Sequence, residues 1–214
     1  MTRLLYVEAS PRKADAASIA AAGLFLGAFA DRHPDVEIDR LDLWNARLPE
    51  FDGAPIAAKY ARLAGKAMDA DLAAAWGVIE VLVARFTSAD AIVIATPLWN
   101  FGIPYKLKHW IDLITQPGLT FTFDPATGYA PVAASRPALV ILASAGDYSA
   151  GTSYGRPDLA TPYLKAALAF LGIGSVAVEH VGPTAGPAET VAAARARAAR
   201  RLQVRAATFM ERAA

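Results

Sequence analysis

The chain has 214 residues, 21 basic against 20 acidic side chains for a net charge of +1, and no cysteine. The missing cysteines exclude disulfides, thiolate catalysis, iron–sulfur clusters and thiolate zinc sites together, and the balanced charge gives no electrostatic case for nucleic acid or an anionic membrane as partner. Hydrophobic residues make up 55 %, but 49 positions are Ala, so the larger apolar residues amount to an ordinary globular core rather than a membrane load.

Leu4 to Ala9 is a short apolar run ending at Ser10-Pro11 and reads as a first strand; broken by Glu8, it is too short for a secretory signal. Ile19, Ala22, Leu26 and Phe29 share one face of a helix predicted from Ala17 to His33, which Pro34 stops. Val36 to Leu43 alternates apolar with polar, the pattern of a half-buried edge strand. A long connection, 44–70, leads to a helix over 71–87. Ala91-Ile92-Val93-Ile94-Ala95 is apolar throughout, as a strand buried on both faces requires. A helix from Tyr105 to about Thr115 follows, then a second long connection, 116–137, in which Leu119 to Asp124 alternates and predicts a small hairpin.

Ala138 to Ala143 is a second fully buried strand. Ala160 to Leu171 is helical and closes at Gly172, Gly174 to Val181 is a fifth strand, and a last helix runs from Ala188 to Ala213. Strand and helix alternate five times, which predicts a doubly wound parallel α/β sheet in a single domain over 1–214. No apolar stretch reaches the roughly 18 residues of a spanning helix, so a cytoplasmic protein with no membrane partner is expected.

In such a sheet, ligands bind beyond the carboxyl ends of the strands. After the first strand, Ser10-Pro11-Arg12-Lys13-Ala14-Asp15-Ala16-Ala17-Ser18 offers two hydroxyls, an arginine and the free amides of a helix start, which suit a phosphate; it reads equally as a turn with a helix cap. After the third strand, Pro97-Leu98-Trp99-Asn100-Phe101 puts two aromatics around an amide, which suits a flat heteroaromatic ligand. After the fourth, Ser144-Ala145-Gly146-Asp147 allows close backbone approach. The three loops together describe a pocket with a phosphate end and a flat aromatic end.

That constellation resembles the FMN-dependent, NAD(P)H-using azoreductase and quinone reductase family of flavodoxin-like fold, whose strand order is 2-1-3-4-5. The resemblance is carried by Pro97 to Phe101 with Ile103 to Lys108 and Trp110-Ile111-Asp112. Gly118 to Phe121, Thr161 to Leu164 leading to Phe170-Leu171-Gly172, and Leu48-Pro49 with Phe51-Asp52-Gly53 support it.

The resemblance implies that Ser10, Ala16, Ala17 and Ser18 hold the FMN phosphate with help from Arg12. It further implies that Pro97, Leu98, Trp99, Asn100 and Phe101 cradle the isoalloxazine, Asn100 polarising its N5/O4 edge. Ser144, Ala145, Gly146 and Asp147 would line the pyrimidine end, and Phe123 and Phe170 the substrate side. It implies a homodimer with the flavin site at the interface, NADH or NADPH as donor, and a quinone or azo acceptor reduced by two-electron ping-pong hydride transfer. Two departures stand out: Ala16-Ala17 replaces polar residues, leaving phosphate contacts there to backbone amides, and Asp147 replaces a glycine. A flavodoxin-type electron carrier and a non-catalytic flavin-binding module are the alternatives; the length and neutral charge weigh against the carrier.

His33, His109 and His180 lack partners at ligand spacing, so no metal is expected. No G-x-S-x-G elbow is present. Arg195, Arg197, Arg200, Arg201, Arg205 and Arg212 give the last helix a basic, solvated face. Trp44 and Trp76 read as core or dimer contacts.

Overall fold

The computed structural model of the chain describes residues 2–213. Met1 and Ala214 of the expected 1–214 domain, and the side chains of Arg212 and Ala213, lie outside the described residues. In chain order the elements are β1 (Arg3–Glu8), α1 (Ala17–Ala30), β2 (Glu37–Asp42), α2 (Gly53–Leu63), α3 (Ala70–Thr87), β3 (Ala91–Pro97) and α4 (Tyr105–Ile114). Then follow β4 (Phe121–Asp124), β5 (Gly128–Pro131), β6 (Pro137–Ala143), β7 (Thr152–Ser153), β8 (Arg156–Pro157), α5 (Ala160–Phe170), β9 (Ser175–Val181) and α6 (Ala188–Thr208).

Five strands form one parallel sheet in the order β2-β1-β3-β6-β9. With the two small antiparallel hairpins set aside, this is the expected 2-1-3-4-5. Val7 sits between Leu41 and Ile94, and Ile94 in turn beside Val140. Because strand side chains alternate between faces, the unbroken apolar strands feed two cores at once. Leu5, Val7, Ile92, Ile94, Val140 and Leu142 pack with Trp76, Phe86, Trp110 and Leu164 on the face covered by α3, α4 and α5. Leu4, Val93, Leu139 and Ile141 pack with Phe25, Phe29, Leu202 and Phe209 under α1 and α6. Each such fully buried side chain contributes about 1.5–3 kcal/mol relative to exposure.

The structure corrects the expected boundaries at several points. The 44–70 connection contains a helix, α2, so the described residues form six α-helices rather than the five expected. Gly53 and Pro55 look like breakers, yet both lie in the first turn, where amides have no partner to lose. Its large apolar residues, Ile56, Tyr60 and Leu63, point outward, while Pro55 and Ala58 are buried. α1 stops at Ala30, three residues before the expected His33; the last residues fold back in turns onto Phe29, whose ring meets that of His33 at 4.4 Å. α6 ends at Thr208, and Met210–Ala213 continues as a 3-10 turn rather than as helix. The start of α3 is fixed by Asp69, whose carboxylate accepts from the Leu72 N–H at 2.9 Å.

The expected hairpin in 116–137 is present as β4 and β5. It follows the C-terminus of α4 and precedes the start of β6, so it lies at the N-terminal end of the sheet. Gly172 is the left-handed residue closing α5, with φ +91°, and there a Cβ would stand 2.8 Å from the Ala133 carbonyl.

Candidate functional site

The loop after β1 turns through a short 3-10 segment, Lys13–Asp15, into α1. Ala16 occupies the N-cap and no side chain caps the helix. The first amides of α1 therefore have no intrahelical acceptor and face the loop as donors at the positive end of the helix. Ser10 and Ser18 are buried, and the Arg12 N–H reaches the Ser10 hydroxyl at 3.4 Å. Arg12, Ala16 and Ala17 line a cavity of about 500 Å³ between α1 and α6, which Arg195 borders from the other side.

Beneath this loop lies a charged layer on β1 and β2. Glu8 is buried and paired with Arg40 at 2.5 Å, and Lys13 is paired with Asp42. Burial, reinforced by neighbouring Glu8, pushes the Tyr6 hydroxyl pKa upward. The strands thus end in paired charge.

After β3, the Trp99 and Gly102 backbones exchange two hydrogen bonds of 2.9 and 2.8 Å, closing a two-residue turn. Asn100 (φ +46°) and Phe101 (φ +72°) are both left-handed, the geometry of a type I′ turn. A phenylalanine held there is a strained residue, and strain of this kind collects where function over-determines the backbone. The turn raises Trp99, Asn100 and Phe101 into the exposed rim, while the Leu98 N–H ties back to the Ala143 carbonyl at 2.8 Å.

After β6, Ser144 donates to the Gly146 carbonyl at 2.8 Å. Gly146 leaves room for Ser153, since a Cβ there would lie 2.2 Å from the Ser153 hydroxyl. The small hairpin of β7 and β8 is thereby seated on the strand-end loop. Leu98, Asn100, Phe101, Ser144, Ala145 and Gly146, with Tyr148 and Arg156, enclose a cavity of about 160 Å³.

Of the predicted site residues, the structure brings Leu98, Asn100, Phe101, Ser144, Ala145 and Gly146 around one cavity, with Pro97 at the end of β3 and Trp99 on the rim. Ser10, Arg12, Ala16, Ala17 and Ser18 sit at the end of the neighbouring strand β1. Asp147 does not line the cavity. Its carboxylate lies 3.9 Å from Arg197, and hydrogen bonds from the Ser149 hydroxyl and N–H hold it below the ordinary carboxylate range. Phe123 and Phe170 are not at this end: they meet through Tyr129, at 4.9 and 5.5 Å, at the opposite end of the sheet.

Sequence reasoning missed Tyr148 and Arg156, which line the cavity from a loop and a hairpin too short for periodicity; the Tyr154-Gly155 turn was the available signal. Trp44, expected as a core or dimer contact, is half-buried and not part of the core. The Trp44 indole donates to the Ala9 carbonyl at 3.1 Å and its ring stands 6.1 Å from Trp99 and 5.4 Å from Tyr105, so it walls the site loops. Trp76 is core.

Among the described residues, no cluster of three or more His, Asp or Glu is placed to hold a metal ion, and no helix is long and apolar enough to cross a membrane. The donor set fits FMN: helix amides and hydroxyls for a phosphate, an amide and aromatics for a flat ring, small residues where it must approach backbone.

The chain matches a family described as flavodoxin-like fold over residues 2–206. It is 49 % identical over 209 residues to FMN-dependent NADH:quinone oxidoreductase 1 of Bradyrhizobium diazoefficiens, covering 98 % of this chain and all of that one. It is 48 % identical over 179 residues to FMN-dependent NADH:quinone oxidoreductase 9 of Burkholderia lata, covering 82 % and 85 % of the two chains. The crystal structure of an FMN-dependent NADH-azoreductase from Bacillus anthracis in complex with FMN superposes with a TM-score of 0.83 at 26 % identity, covering 96 % of this chain and all of that one. Matched along nearly its whole length, and with the sheet order and strand-end loops described above, the chain belongs to the flavodoxin-like family of FMN-dependent NADH:quinone oxidoreductases and azoreductases.

Proposed function

We infer that this chain is an FMN-dependent oxidoreductase that takes hydride from NAD(P)H and reduces quinones or azo compounds by two electrons. The observation that carries the reading is the cavity between the left-handed Asn100-Phe101 turn and Ser144 to Gly146, at the carboxyl ends of adjacent strands, in a chain so similar to NADH:quinone oxidoreductases. FMN, when bound, supplies the hydride chemistry; the chain supplies binding, orientation and electrostatics. Ser10, Arg12 and the amides of Ala16 to Ser18 hold the phosphate, Pro97 to Phe101 flank the ring with the Asn100 amide at its edge, and Ser144 to Gly146 let the pyrimidine end approach backbone. Donor and acceptor take turns at one open face, hence ping-pong kinetics. The whole chain acts as one unit, in the cytoplasm, where NAD(P)H is supplied.

We place the site at a homodimer interface. Phe123 is 60 % exposed and stands with Tyr129 and Phe170 at the end of the sheet opposite its own site, so it can cover only another copy's site. The exposed Ile56, Tyr60 and Leu63 on one face of α2 give a second copy apolar surface to bury.

Purified protein loaded with FMN is expected to be yellow and to oxidise NADH only when menadione or an azo dye is added, with parallel double-reciprocal plots. Protein that retains no FMN, or retains it without consuming NADH, overturns the enzyme reading; the second outcome is that of a carrier or a non-catalytic binding module. Phe123→Ala is expected to leave a dimer by size-exclusion chromatography and raise the quinone KM about tenfold, the scale of one lost aromatic contact. An unchanged KM would remove the partner's hairpin from the site.

A further inference from the structure

Thr152 to Pro157 forms a hairpin of two residues per strand, joined by Tyr154 (φ +51°) and Gly155 (φ +75°), another left-handed pair. So small a hairpin has no core of its own and is held from outside. Ser153 is buried against Gly146, the Asp158 N–H bonds the Gly151 carbonyl at 2.9 Å, and the Leu159 N–H bonds the Phe101 carbonyl at 2.9 Å. Tyr154 is left almost wholly in solvent, while Arg156 is directed to the cavity.

The Arg156 guanidinium has one protein partner, the Ser153 carbonyl at 3.4 Å, and no carboxylate among the described residues lies within ion-pair distance of it. None of the other residues lining the cavity is Asp, Glu, His, Lys or Arg. Asp147, the carboxylate of the loop after β6, accepts from the Ser149 N–H at 2.9 Å and lies 3.9 Å from Arg197. Arginine does not release its proton in proteins. The cleft thus carries one fixed, unspent positive charge, on a hairpin seated against both site loops.

We propose that Arg156 compensates the negative charge that arrives with the hydride. This rests on the FMN reading above. When NADH reduces FMN, NADH and FMN become NAD⁺ and FMNH⁻; the C–H bond of the nicotinamide breaks, a hydride is transferred, and the flavin is left anionic on its pyrimidine side. A guanidinium among the residues assigned to that side favours the reduced cofactor over the oxidised one. The site then binds reduced FMN more tightly and raises its potential, which hastens donation by NADH.

The test compares wild type, Arg156→Gln and Arg156→Lys, all loaded with FMN. Sulfite adds to oxidised flavin and leaves the same anionic ring, bleaching the yellow absorption without any hydride donor. Arg156→Gln is expected to weaken sulfite binding about tenfold, the scale of one charge-assisted contact, and to lower the two-electron potential by the corresponding ~30 mV. Arg156→Lys, which keeps the charge, is expected to stay within about threefold of wild type in sulfite affinity. Oxidised-FMN affinity should be nearly equal in all three.

Unchanged sulfite affinity and potential in Arg156→Gln overturn the proposal while leaving FMN dependence intact. So does a rise in NADPH KM alone, which would make Arg156 a reader of the donor's phosphates, or loss of oxidised FMN, which would make it an anchor. Wild type that retains no FMN fails the underlying reading instead.

Discussion

At the N-terminal end of the sheet, Asp39 accepts from Nε and Nη2 of Arg85, at 2.9 and 2.6 Å, and from Arg3 at 2.8 Å; nearby, Arg136 donates to the Phe86 carbonyl at 3.0 Å and lies 4.6 Å over its ring. At the C-terminal end, the loops are held by backbone hydrogen bonds and by the absence of side chains at Gly146, and two non-glycine residues sit left-handed in one turn. The first end spends its guanidinium groups on protein; the other, beside its own Glu8–Arg40 and Lys13–Asp42 pairs, leaves helix amides, Arg156 and a strained turn facing open space. The difference separates what keeps the sheet together from what it does, so substitutions at the two ends should move different observables.

The largest expected effect is at the C-terminal end. Gly146→Val puts carbon where Ser153 stands, so the β7–β8 hairpin must lift and carry Arg156 with it. Misplacement of about an ångström at a reacting site costs on the order of a hundredfold in rate, and NADH:quinone turnover is expected to fall by that much while the melting temperature drops only a few degrees. Turnover within threefold of wild type would show that the hairpin is no part of the site, and the contrast between the ends would lose its functional half.

At the other end, Asp39→Asn strands two arginines and is expected to cost about 2 kcal/mol, a fall of roughly 4–8 °C in melting temperature for a chain of this size, with FMN affinity unchanged. The pH dependence has a definite sign. Arg85, then Arg3, hold the Asp39 carboxyl below its ordinary value, so its folded-state pKa lies under the unfolded one. Its contribution is present above the unfolded value near 3.9 and is lost as pH falls through the folded one. Wild type should therefore lead Asp39→Asn by a constant margin from pH 5 to 8, and the margin should close below about pH 4. A margin that persists into acid would mean that packing, not the ion pair, sets the difference.

The same division decides how much could be read from the sequence. Runs such as Ala91 to Ala95 and Ala138 to Ala143 are long enough for burial on both faces to write itself as unbroken apolarity, so the parallel sheet was legible, while its strand order came only with the family resemblance. The Trp99-Asn100-Phe101 turn was legible as chemistry, because aromatics at a strand end have few other uses. α2 was not: its first turn holds Gly53 and Pro55, and its apolar residues face out, which inverts the usual pattern. Arg156 and Tyr148 were not, because a strand of two residues and an irregular loop have no period. Trp44 comes to Trp99 only through the adjacency of β2, β1 and β3, a long-range pairing that no local window contains. Asp147 is engaged first by Ser149, two residues on, and only then by Arg197, fifty residues away, which no local window contains.

The smallest expected effect is the one that tests strain directly. Phe101→Gly removes a side chain from a left-handed residue, and that conformation costs an L-residue about 1–2 kcal/mol. Against this stand about 0.5–1 kcal/mol of extra backbone entropy for glycine in the unfolded chain and the few contacts of a ring that is already largely exposed. The balance lies between zero and about +1 kcal/mol, so the melting temperature should hold or rise slightly, while the KM for menadione rises because one wall of the cavity is gone. Calorimetry and steady-state kinetics on the same preparation read both. A melting temperature lower by more than about 3 °C would mean that the ring holds the turn in place, and that this end of the sheet, too, is built for stability.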